Sequence, residues 1–210
     1  MSLDLDSCLN AIIHQKTLKT DSKVLLVAFS GIDGSGKGYI TQKLNTQLTQ
    51  RNFNVATINI DGWLNLPAKR FSETNSAAHF YHHAIRFDEL FPQLVFPLRD
   101  RRSIKLTADF TEETATSYRP NTYHFADIDI ILLEGIYLLK QKFQSYYDLS
   151  FWIECSFKTA LDRAIARSQE GLSPAETINA YQTIYFPAQK IHFERDRPQT
   201  TANAIIQNDF

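Results

Sequence analysis

Four of the chain's seven glycines fall within eight residues, Gly31-Ile32-Asp33-Gly34-Ser35-Gly36-Lys37-Gly38, and this segment limits what the rest can fold into. It has the form G-x-x-x-x-G-K. It lies between an apolar run, residues 24–30, and an amphipathic stretch over about 37–51 that carries Ile40, Leu44 and Leu48 on one face. A glycine-rich turn from a buried strand into a helix lets successive backbone N–H groups point inward around phosphate oxygens. The helix N-terminus adds a favourable dipole. Glycine is required where such a loop visits positive φ and runs close to a ligand. Lys37 would reach the β- and γ-phosphates of a nucleoside triphosphate. Gly31, Asp33, Gly34, Ser35, Gly36, Gly38 and Tyr39 complete the expected nucleotide-binding set.

Other apolar runs at 55–60, 128–133 and 149–154 read as strands, and 204–207 as a short closing strand. Helices are expected over 77–94 and 157–168, and again from the capping box Ser173-Pro174-Ala175-Glu176 toward Tyr185, with an interruption at Pro187. Leu3, Leu5, Leu9, Ile12 and Ile13 suggest a leading helix within residues 1–22. Residues 97–127 show little clean periodicity and are expected to form short elements around a substrate-facing loop. Strand–helix alternation over this length implies a doubly wound, mostly parallel sheet between two helical layers, in a single domain over residues 1–210.

Composition closes off several function classes. The net charge of −1 gives no footprint for nucleic acid, and the local run Arg99, Arg101, Arg102 and Lys105 reads as a solvated turn. No apolar run approaches the roughly 18 residues of a membrane span, and residues 1–23 lack the marks of a signal peptide. A cytoplasmic protein is expected. Cys8 and Cys155 are too few for a metal cage.

In an open parallel sheet, ligands sit beyond the carboxyl ends of the strands. Asp61 and Glu134 both end predicted strands, so both are expected to face the phosphate site. One carboxylate could take a proton from an attacking hydroxyl, and the other could anchor Mg²⁺ through water. Position 38 is a departure. Serine or threonine there would ligate Mg²⁺, and glycine leaves that place to water or to more distant carboxylates.

The loop GIDGSGKG, Asp61-Gly62-Trp63, Glu134-Gly135, the segment FYHHAIRFD at 80–88, Phe186-Pro187-Ala188 and the closing NAIIQND together resemble the uridine kinase and phosphoribulokinase-like P-loop kinases. The resemblance implies a P-loop NTPase sandwich with a small lid at about 168–173. It also implies ATP with Mg²⁺, and transfer to a hydroxyl of a small metabolite, a nucleoside such as uridine foremost. By the same resemblance Asp61 is the base and a metal neighbour, Glu134 the Mg²⁺ partner, and Arg163 and Arg167 lid arginines. Tyr81, His83 and Asp109 are the substrate contacts, and His82 stands where the family has an acidic residue for ribose hydroxyls. Two other readings stay open. One is a kinase for another acceptor, such as a sugar, pantothenate, glycerate or nicotinamide riboside. The other is a nucleotide-binding regulatory protein with little transferase activity. A homo-oligomer is compatible with the sequence.

Overall fold

A computed structural model of the protein describes residues 2–19, 23–168 and 171–209. Its central sheet has six parallel strands in the order β1-β8-β7-β2-β6-β3. These are β1 (Ser2–Leu3), β2 (Leu25–Gly31), β3 (Val55–Asn59), β6 (Ile130–Gly135), β7 (Leu149–Glu154) and β8 (Ala204–Gln207). A separate antiparallel hairpin pairs β4 (Ile104–Phe110) with β5 (Arg119–Phe125). Every residue of β2 and β6 is buried, as in strands covered on both faces, which is why both read as continuous apolar runs. Alternate side chains serve opposite layers. Leu25, Val27 and Phe29 pack with Leu9 and Ile12 of α1 (Leu5–Thr17) and Leu44 and Leu48 of α2 (Lys37–Thr49). Leu26 and Ala28 face the other layer, with Trp63, Phe80 and Leu94. The three-layer sandwich expected from strand–helix alternation is the observed fold.

Two expectations for helices are corrected. The stretch 77–94 is not one helix. It divides into α4 (Ser76–His83) and α5 (Phe87–Leu90), after a short α3 (Pro67–Arg70), and runs on through α6 (Phe96–Arg101). The break at 84–86 forms because the chain leaving β3 hydrogen-bonds there: Asn65 N–H donates to Ala84 O and Arg86 N–H to Trp63 O, both at 2.8 Å. Nor does Pro187 end its helix. Following α7 (Phe157–Arg167), α8 (Pro174–Ala180) passes through a π turn, Tyr181–Tyr185, directly into α9 (Phe186–Asp196). In that turn Phe186 N–H bonds to Tyr181 O, five residues back. Proline in a regular helix lacks one N–H and clashes with the carbonyl four residues earlier, and a widened turn relieves both faults. Phe96-Pro97 follows an identical π turn at Phe91–Val95. The chain closes with α10 (Pro198–Thr201) and β8.

The short elements expected over 97–127 are α6 and the hairpin. Two of its arginines are structural. Arg99 donates to Tyr146 O and pairs with Asp148, and Arg102 pairs with Asp129. Cys8 and Cys155 are free and buried. Among the described residues, no helix is long and apolar enough to cross a membrane. Of the lid expected at 168–173, residues 169 and 170 lie outside the described residues.

Register brings the chemistry together. Glu134 sits opposite Phe29 on one side and Asn59 on the other, so β6 places it between the loop that leaves β2 and the turn that leaves β3.

Candidate active site

The loop runs from Gly31, the last residue of β2, to Lys37, the first of α2. Gly34 and Gly36 hold φ of 74° and 83°, a left-handed backbone that glycine adopts without steric cost. A side chain on Gly34 would also drive into the backbone of Ala160 on α7. The loop is braced from outside. Asn208, after β8, donates from its side chain to Ser35 O at 2.7 Å, and Arg163 donates to Gly34 O and Ser35 O at 3.3 Å each and to Asn208 O at 2.8 Å. Arg163, expected over the phosphates, is thus spent on the loop's own carbonyls. Arg167, one helical turn on, pairs with Asp33 of the loop at 3.4 Å, and the Tyr181 hydroxyl donates to the same carboxylate.

Lys37 is 8% exposed and folds toward the loop, donating to Ile32 O at 3.3 Å. Three carboxylates share its field. Burial pushes Glu134 up to about 7, against the pull of Lys37 and with added repulsion from Asp61 and Asp33. Asp61 lies in the 3₁₀ turn Ile60–Trp63, where Asn59 caps it by accepting from its N–H at 2.7 Å. Its carboxyl is also raised, mainly by burial, with Lys37 opposing and Asp33 reinforcing. Asp33 moves the other way: burial raises it, but Lys37, Arg167 and the Tyr181 hydrogen bond outweigh that.

A metal would find the buried Glu134 beside the start of α2 and Asp61 nearby. Among the described residues no group of three His, Cys, Asp or Glu is gathered to cage an ion. That donor set fits Mg²⁺, which commonly takes one or two carboxylates and completes its shell with water and substrate phosphates. Tyr39, expected at the nucleotide, is 60% exposed with Lys43 over its ring at 4.4 Å.

Asp33 and Asp61 open onto a cavity of about 380 Å³, in the range of small-molecule sites. Its walls include Leu64, Phe71, Phe80, Ile136, Ile184 and Gln189, and Leu172 from the expected lid. Tyr81, His83 and Asp109 do not line it. The structure places these three residues elsewhere, for distinct reasons. Helix α4 turns Phe80 toward the cavity, while Tyr81 is buried with its hydroxyl donating to Asp196 at 2.5 Å. His83 and its neighbour His82 are exposed and border a separate cavity of about 140 Å³ with Lys140. Asp109 is exposed on β4, and its carbonyl accepts from Arg86. Sequence reasoning missed Gln189, Ile184 and the Asn208 brace, although the segment holding Asn208 was visible as NAIIQND.

No family model matches the chain. Over 175 residues it is 27% identical to a uridine kinase of Macrococcus caseolyticus (strain JCSC5402), covering 79% of this chain and 80% of that protein. Its fold superposes on that of a possible uridine kinase from Bacillus stearothermophilus with a TM-score of 0.75, at 20% identity and 96% coverage of both chains. In sequence and fold the chain is similar to uridine kinase-like P-loop kinases. The same fold is shared more distantly, with a TM-score of 0.65 at 11% identity, by a D-glycerate 3-kinase from Cryptococcus neoformans var. grubii, over 94% of this chain and 89% of that one. Gly38 stands across from the Glu134 carboxylate and brings no hydroxyl to it.

Proposed function

We propose that this chain transfers the terminal phosphoryl group of ATP to a hydroxyl of a small metabolite, with a nucleoside such as uridine the leading acceptor. The observation that carries the reading is Asp61: it lines the 380 Å³ cavity and shares the electrostatic environment of Lys37 at the phosphate loop. An acceptor hydroxyl seated in the cavity would give its proton to the Asp61 carboxylate, whose raised pKa makes it a stronger base than an exposed aspartate. Lys37 and Arg167 are the cations placed to offset charge on the transferred group. Mg²⁺, held by Glu134 and Asp61, would neutralise phosphate charge. Most of the rate enhancement comes from positioning and electrostatics.

The D-glycerate 3-kinase likeness keeps other acceptors in view, and Gly38 with His82 keeps the regulatory reading in view. Incubation with ATP, Mg²⁺ and a panel of hydroxylated metabolites, followed by mass spectrometry, separates the three. A phosphoester of uridine is the expected product. A phosphoester of a sugar, glycerate, pantothenate or nicotinamide riboside alone would replace the acceptor, and ATP binding without any product would leave a regulatory nucleotide binder.

A further inference from the structure

A buried polar side chain of the Asp61 cavity is given no role by phosphoryl transfer. Gln189, on α9, is 2% exposed and lines the cavity, yet its carboxamide oxygen has no hydrogen-bond partner among the described residues. Burying an amide oxygen unpaired is costly, and a native structure that keeps one calls for a reason. The cavity's other walls are largely apolar, among them Phe71 and Phe80, whose rings stack at 5.6 Å between centroids. A half-turn of the terminal amide exchanges its oxygen and nitrogen, so the group can offer an acceptor and a donor side by side. The apolar stretch of wall beside this carboxamide suits a flat ring that carries an N–H next to a C=O, while Arg70, Glu113 and Thr114 bring polar groups to other parts of the lining.

We propose that Gln189 is the specificity-determining residue of this cavity, pairing its carboxamide with an amide-type edge, an N–H beside a C=O, on a ring borne by the acceptor alcohol. The inference rests on the phosphotransferase reading of the same cavity, and it selects among the acceptors that reading leaves open. Simple sugars and glycerate have no such edge. A ring amide does. A site built to hydrogen-bond its ligand rejects the analogue lacking that group far more strongly than an apolar pocket rejects a change of size.

The test compares uridine with N3-methyluridine, in which the ring N–H is replaced by a methyl group. Binding is followed by calorimetry with a non-hydrolysable ATP analogue present, in the intact protein and in Gln189→Met and Gln189→Glu. The intact protein should bind uridine at least about tenfold tighter than the methylated analogue. Gln189→Met should erase that preference, leave affinity for the ATP analogue unchanged, and unfold at no lower temperature, since it removes an unpaired buried polar group. Gln189→Glu, which keeps an acceptor and loses the donor, should retain an intermediate preference. An unchanged preference in Gln189→Met overturns the assignment, and so does failure of the intact protein to bind any ring-amide alcohol. Phosphoester formation is measured in parallel. Gln189-dependent binding with no product from any acceptor would overturn the transfer reading alone, whereas product formed with the same selectivity in both proteins would overturn only the role of Gln189.

Discussion

Gly38 and Glu134 face each other across the start of α2: a β-carbon built on the glycine would stand 3.6 Å from Glu134 Oε1, an ordinary contact. A serine therefore fits at position 38 without displacing anything, and its hydroxyl would lie beside the one buried carboxylate available to a metal there. Gly38→Ser is expected to tighten Mg²⁺ binding severalfold in the presence of an ATP analogue, measured by calorimetry. It should also stabilise the fold by roughly 0.5 kcal/mol, because glycine is the poorer helix former. Unchanged metal affinity would mean that the glycine costs the site nothing.

The raised pKa of Glu134 sets a pH dependence. Its folded-state value of about 7 lies above the 4.5 of a free glutamate, so the unfolded chain ionises first. The stability this group contributes is complete below about pH 4.5 and is lost as pH rises through 7. Glu134→Gln removes the titration. Its stability relative to the unaltered protein should rise across that window by on the order of 3 kcal/mol and level off above it. Urea unfolding at a series of pH values without Mg²⁺ reads this directly, and a difference that stays flat with pH would contradict the burial described for the carboxylate.

Asp61→Asn keeps shape and the Asn59 cap while removing the base. ATP affinity should be unchanged and transfer should fall by roughly 10²- to 10⁴-fold. Full turnover in this variant would take Asp61 out of the mechanism.

The two arginines of α7 should separate cleanly. Arg163→Ala strips donors from Gly34 O, Ser35 O and Asn208 O, so both thermal stability and ATP affinity should drop, the former by roughly 1–3 kcal/mol. Arg167→Ala removes a long, partly exposed pair to Asp33, which holds little stability. Its expected effect is on transfer rate, by roughly 10²-fold. Equal losses of melting temperature in the two variants would erase this division of labour.

The parts of this site that sequence made legible are those governed by local rules. Strands β2 and β6 are buried on both faces and therefore read as unbroken apolar runs. Asp61 and Glu134 follow from where such strands end in a parallel sheet. Position in a family segment was a weaker guide. Tyr81, His83 and Asp109 match by order along the chain, but which residue faces the cavity depends on helix phase, and in α4 that residue is Phe80. The hairpin was legible in principle. Ile104, Leu106, Ala108 and Phe110 alternate with Lys105, Thr107 and Asp109 at the period of a strand, a signal lost among the surrounding charged and turn-forming residues. Ile184 and Gln189 could not be placed because the π turn that holds the first and precedes the second leaves no mark in residue type except the proline that follows.

That turn has a consequence for how the acceptor wall tolerates change. Each residue of a regular helix advances the face by about 100°, and a five-residue turn takes up one residue more than ordinary winding. Removing one residue between Tyr181 and Tyr185 would let the segment relax to an α turn and leave Gln189 facing the cavity, whereas adding one would swing Gln189 through about that angle, out of it. This stretch can lose a residue more readily than gain one.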